Sequence, residues 1–380
     1  MERDMKRRII QYTTVVLAFL AGMIFMTYMT RMGNRDMTGD MAQAQLPVVY
    51  AEQDGVLYNE MHGYVEDMDG ASMLDSVIGV SEDHKVGLAL EKYNAQIKLV
   101  SYEVRSLDMS RLIEGGDDLQ AEDDGKYLHV SLTLKDLLTQ GEEYLLVLKV
   151  QTEDQDLVRF YSILTYLGTN HVQDCVDFAQ RFHEMTLTGD SDGVLNYLEQ
   201  DGSMDGKNLG YINIHSRSGP VTWGDMQVVE TGETSLRFTE LESDITALTM
   251  EYQVTNTETS EQYQVREAYR LRYTSTRIYL LAYERWTDKI LEPGRQLVED
   301  GKLSFGIQSS EPVYMKNTEE NVVGFVEQGQ LWSYDYGQNR LSLVYGFADG
   351  QDGRADWKEH DYRLLKVDDT GSMDFLLYGS

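Results

Sequence analysis

The stretch Ile97-Lys98-Leu99-Val100-Ser101-Tyr102-Glu103-Val104 largely alternates apolar with polar side chains, the period of a half-buried β-strand. The pattern returns at Lys126–Leu132, Tyr144–Val150 and Leu157–Leu164, with Gly115-Gly116, Asp123-Asp124-Gly125 and Gly141 as turn signals between them. Such spacing suits an antiparallel sandwich, so residues 46–167 are expected to form a β-sandwich of immunoglobulin-like or fibronectin-like architecture. The chain has a single cysteine, so the disulfide of true immunoglobulin domains is absent and the analogy is architectural.

Upstream, residues 9–30 carry no charged side chain, and a helix of that length reaches across the roughly 30 Å hydrocarbon core of a bilayer. Lys6, Arg7 and Arg8 precede the run, whereas beyond Arg31 and Arg35 the next basic residue is Lys85. The positive-inside rule then predicts a cytoplasmic tail (1–8), a transmembrane helix (9–30), a linker (31–45) and an exterior bulk. The rival reading is a cleaved signal peptide with Ala42-Gln43-Ala44 as its cleavage signal, disfavoured because the apolar run is long and a charged spacer separates it from Ala42. A lipid anchor is excluded, since Cys175 lies far from the run.

Helical periodicity appears at Val172–Phe182 after Asn170, a candidate N-cap. Val172, Cys175, Val176, Ala179 and Phe182 form one apolar stripe, and Phe178 and Phe182 are expected to be buried against a sheet carrying Tyr252, Val254 and Tyr269. Gly189-Asp190-Ser191-Asp192 breaks the helix, and Val194–Leu198 reads as a second, short one. Three long strands follow at Ile245–Thr255, Gln262–Tyr273 and Ile278–Trp286. The phrases Asp177-Phe178-Ala179-Gln180-Arg181-Phe182-His183, Gly189-Asp190 and Val194-Leu195-Asn196-Tyr197-Leu198, set before a meander, resemble the opening of NTF2-like domains. For residues 168–290 that resemblance implies an α+β fold, a helix on a curved antiparallel meander around a pocket, in a superfamily whose envelope members are often non-catalytic.

Leu291-Glu292-Pro293-Gly294 and Pro312 mark a boundary. Residues 303–380 then run as short strands, from Val313–Met315 to Met373–Tyr378, and Gly329-Gln330-Leu331-Trp332-Ser333-Tyr334-Asp335 resembles the paired strands of β-propeller blades. A blade takes roughly 40–50 residues and closure at least four blades, so a partial propeller-like segment is expected. On that reading Phe375 and Leu377 lack a covering partner. The expected fold class is thus mainly β with one N-terminal transmembrane helix: β-sandwich, then α+β, then propeller-like strands. The layout resembles that of single-pass surface proteins of Gram-positive bacteria.

A net charge of −31 argues against a nucleic-acid partner, whose phosphates require a basic face. No two of the seven histidines stand at zinc-ligand spacing, and neither phosphate-cradling glycine loops nor a Gly-x-Ser-x-Gly elbow occurs. No catalytic, cofactor-binding or metal residue is therefore assigned, and no cofactor is expected. Three weaker groupings stand out. Asp349–Asp356 could offer oxygen ligands to calcium but reads better as a solvated turn. His183 with Asp190 could form an acid–base pair, against the simpler reading of a helix-end histidine. Ile212–Gly224 reads as a tight strand and turn that packs Trp223, with ligand contact as the alternative. The function expected is a membrane-anchored, extracytoplasmic, non-catalytic binding or scaffold protein with a protein or glycan partner, held to the membrane by residues 9–30. The alternative is an exported hydrolase with paired carboxylates distant in sequence.

Overall fold

The computed structural model describes residues 12, 14, 17–26, 46–73, 75–93, 95–117, 119–135, 137–153, 157–201, 209–291, 298–299, 302–327, 329–338, 340–346 and 361–378. The chain divides into two compact units, one of Ala42–Leu291 with Ser304–Glu311 and one of the remainder.

The larger unit begins with two five-stranded sheets. The first pairs β1 (Val48–Gln53), β2 (Val56–His62), β4 (Lys85–Glu91), β7 (Ala121–Asp123) and β8 (Tyr127–Thr133) in the order β2-β1-β4-β8-β7. The second holds β3 (Val77–Ser81), β5 (Ile97–Arg105), β6 (Leu112–Gly116), β9 (Glu143–Thr152) and β10 (Val158–Gly168) in the order β3-β10-β9-β5-β6. All pairings are antiparallel except β3 with β10. Inward residues such as Leu88, Val130, Val104, Leu148 and Phe160 share one apolar core. β1 and β4 pair closely at Gly87, opposite Glu52, where an added Cβ would stand 2.4 Å from the Glu52 carbonyl oxygen. A larger residue there would force the two strands apart.

Helix α1 (Val172–Leu187) follows, then α2 (Ser191–Leu195), β11 (Tyr211–Asn213), α3 (Ser218–Val221) and the meander β12 (Val228–Leu241), β13 (Ile245–Asn256), β14 (Gln262–Tyr273) and β15 (Ile278–Lys289). The sheet order is β11-β15-β14-β13-β12. All five stripe residues of α1 are buried, together with Phe178, His183 and Thr186. The N-cap is His171, one residue later than expected and without a side-chain cap bond; Asn170 before it accepts the Val172 N–H at 2.8 Å through its side-chain oxygen. Gly189, at φ +76°, takes the left-handed conformation that ends the helix. The sandwich joins the meander through Asn59, which is fully buried: its amide donates to the Val77 carbonyl at 2.8 Å and its oxygen accepts the Phe238 N–H at 2.7 Å. Beside it the rings of Tyr58 and Phe238 meet edge to face at 5.1 Å.

In the smaller unit, β16 (Val298–Glu299) pairs with β17 (Lys302–Leu303). β18 (Val313–Lys316), β19 (Val322–Glu327), β20 (Gln330–Asp335) and β21 (Arg340–Tyr345) form a four-stranded antiparallel sheet. A hairpin of β22 (Asp361–Val367) and β23 (Met373–Tyr378) packs on it, burying Leu331, Tyr362 and Leu364, with Phe375 and Leu377 half-buried in the same cluster. Phe375 and Leu377 therefore have apolar partners within this unit. The sheet and hairpin stand where propeller-like strands were expected.

The expected fold class requires one correction. The protein is mainly β, but among the described residues no helix is long and apolar enough to cross a membrane. Tyr12, Thr14 and residues 17–26 are helical and exposed. The remainder of the 9–30 run apart from Tyr12 and Thr14, like the expected tail (1–8) and linker (31–45), lies outside the described residues. An uncharged run suggests a spanning helix but does not by itself establish one.

Candidate functional site

The inward face of the meander carries charge where alternation calls for apolar side chains. On β14 the buried phase is Tyr263, Val265, Glu267, Tyr269 and Leu271. Register sets Glu267 between Met250 of β13 and Arg285 of β15, so a carboxylate and a guanidinium stand side by side in a fully buried row. The neighbouring row is Leu248, Tyr269 and Tyr283.

Glu267 is saturated by its surroundings. It accepts the hydroxyls of Tyr269 at 2.6 Å and Tyr283 at 2.7 Å, and the Nδ1 of His183 lies 3.2 Å away. Burial favours the neutral acid, but the hydrogen bonds and charge of His183, with the Tyr269 hydroxyl and the Arg285 charge, outweigh it and hold the carboxyl below its usual range. The tyrosines respond in the opposite sense: burial first, then the Glu267 charge, pushes Tyr252, Tyr269 and Tyr283 well above the ordinary phenol value.

His183 is held from both sides. Its Nε2 lies 3.3 Å from Glu230 of β12, and its ring meets Tyr252 edge-on at 4.4 Å. Burial opposes the imidazolium, yet Glu267 and Glu230 together prevail and raise its pKa. The protonated ring can donate to both carboxylates, which ties α1 to β12 and β14.

Arg285 closes the far end. Its two terminal nitrogens donate to the carbonyls of Val221 at 2.7 Å and Pro220 at 2.9 Å, at the C-terminal end of α3, and its guanidinium lies 4.0 Å from the centre of the Trp223 ring. Trp223 itself is buried and sits at φ +66°, an unusual conformation for a bulky residue. It serves as the floor on which Arg285 rests.

Of the groupings singled out in the sequence, Ile212–Gly224 buries Trp223 as expected, but Ser218–Val221 within it is the short helix α3. His183 and Asp190 do not form a pair. Asp190 instead caps α2, accepting the Gly193 N–H at 2.9 Å, and the partners of His183 are Glu267 and Glu230. Asp349–Asp356 lies outside the described residues. Phe182 is fully buried against Tyr269 and Tyr283, with ring centres 6.0 and 4.8 Å away, whereas Val254 belongs to the Trp223 cluster.

No protein-family model matches the chain, and no curated protein matches it. Among solved structures, CopC from Methylosinus trichosporium aligns at 16% identity over 28% of this chain and 94% of its own, with a TM-score of 0.18. A DUF4784 family protein from Bacteroides caccae aligns at 10% identity over 80% of this chain and 75% of its own, with a TM-score of 0.15. Likenesses this slight carry no argument about this protein.

Glu267, Glu230, Arg285, Tyr269 and Tyr283 were absent from the sequence-based candidates. A signal for Glu267 did exist, since it interrupts the apolar phase Tyr263, Val265, Tyr269 and Leu271 of a long alternating strand, whereas Arg285 shares its phase with Thr287 and Lys289 and gave none. Beyond this cluster, an open groove of about 440 Å³ lies along α1 and α2, with Phe178, Arg181, Glu184, Met185, Asp190 and Tyr197 in its lining. Among the described residues, no group of three or more His, Cys, Asp or Glu side chains could hold a metal ion.

Proposed function

We propose that the protein is a non-catalytic binding or scaffold protein of the bacterial cell envelope, acting outside the cytoplasm on a protein or glycan partner. The observation that carries this reading is the saturation of Glu267. A catalytic carboxylate must offer a lone pair or a proton to substrate, and Glu267 is wholly buried and engaged by two phenols and an imidazole. In that setting the charged cluster acts as a clamp between helix and sheet. The exterior location draws its support from the acidic composition, which keeps an exported protein solvated. The NTF2-like resemblance of residues 170–290, whose helix-on-meander arrangement leaves an open groove beside α1, fits a binding role.

The full chain, incubated with isolated cell envelopes, should co-sediment saturably and release no soluble fragments. Release of soluble fragments that grows with protein concentration would instead make the protein a hydrolase. A phosphatase fused after Gly168 should be active only if that point of the chain is exported; an inactive fusion would overturn the exterior location.

A further inference from the structure

We propose that the groove along α1 and α2 is a saccharide-binding site. Its volume, about 440 Å³, falls within the roughly 300–1,000 Å³ of ligand pockets, and it is an open cleft suited to a chain lying across it. The lining has two characters. The Tyr197 ring meets Phe178 edge-to-face at 5.3 Å and Phe182 at 5.9 Å and is half-buried in the groove lining. Around it stand the exposed side chains of Arg181 and Glu184, whose charged ends make no ion pair among the described residues, and Asp190, one of whose oxygens caps α2. A sugar ring presents an apolar C–H face and, at its edge, hydroxyls that both donate and accept. An aromatic face beside a guanidinium and two carboxylates complements that combination. A purely apolar ligand would strand the charges, and a strongly charged one would meet both signs at once.

The proposal rests on the reading of the protein as a binding module, and its test separates the two. Isothermal titration of the full chain with short chito-, xylo-, malto- and mannan-type oligosaccharides should show binding to at least one. Tyr197→Ala should weaken it about tenfold or more and Arg181→Ala by a smaller factor, while Tyr197→Phe, which keeps the ring, retains most of it. Tyr279→Ala, on another face of the meander, should leave it unchanged. Absence of binding to every member of the panel overturns the saccharide site, as does binding that Tyr197→Ala and Arg181→Ala leave intact. If the chain still co-sediments with envelopes in those cases, only the saccharide inference falls; if co-sedimentation is absent too, the binding-module reading falls with it.

Discussion

The sandwich and the meander solve the same problem with different chemistry. Between the two sandwich sheets the core is mostly apolar, with Leu88, Val104, Leu148 and Phe160 in one cluster, the buried Ser76–Ser162 pair among the exceptions and, among the described residues, a single buried carboxylate, Glu114, on the edge strand β6. Under α1 the meander buries Glu267, Arg285 and His183. An apolar core tolerates exchange of one hydrophobic side chain for another of similar size, because dispersion and area burial are non-directional. A buried charge accepts one geometry, since every unmatched donor or acceptor costs free energy. The meander therefore uses directional contacts to fix where α1 lies, and the helix in turn presents the groove.

That contrast can be broken most strongly at Glu267. Glu267→Ala should cost about 3–5 kcal/mol in chemical denaturation, because Arg285 loses its buried counter-charge, His183 keeps only Glu230 and two phenols lose their acceptor. A loss below about 1 kcal/mol would mean that the cluster does not anchor the fold. In the sandwich, Leu148→Ala should cost about 2–5 kcal/mol, whereas Leu148→Met should cost under about 1.5 kcal/mol. The corresponding conservative exchange in the meander, Glu267→Gln, should be far more damaging than Leu148→Met, and equal costs would erase the distinction between the two cores.

Acidity sharpens the same comparison. His183 has a raised folded pKa, so its contribution is complete below the unfolded value near 6.5 and is lost as pH rises through the higher folded value. Glu267 has a lowered folded pKa, so its contribution is present above the unfolded value and is lost as pH falls through the folded one. Thermal unfolding measured across pH should decline on the alkaline side, and His183→Gln should remove much of that decline; an unchanged profile would show that His183 is not held as the imidazolium. The smallest effect is expected at Asp190, where Asp190→Ala removes the α2 cap and should cost about 1 kcal/mol, read as a small drop in Tm. A cost several times larger would point to a role for Asp190 beyond the cap.

Periodicity made much of the architecture legible. Ile97–Val104 lies within β5, the stripe from Val172 to Phe182 is the buried face of α1, and the three long strands after Ile245 are β13, β14 and β15. Early strands such as β1 and β2 were missed because their apolar residues do not keep a simple alternation, with a register shift between Val49 and Ala51. The uncharged N-terminal run predicts a spanning helix, and among the described residues no helix is long and apolar enough to be one.

What the sequence by itself determined is which residues share a face, because strand and helix periods follow from backbone geometry alone. The acidic balance, the absence of disulfide chemistry and the Phe178–Phe182 spacing that seats α1 follow in the same way. Only the tertiary structure decided which distant charges meet. His183 and Glu267 are 84 positions apart, and His183 and Glu230 are 47 apart. Their meeting depends on the register of four strands and the seating of one helix, which local sequence does not encode. A one-residue slip of β14 would turn Glu267 to the opposite face and leave His183 without its buried counter-charge.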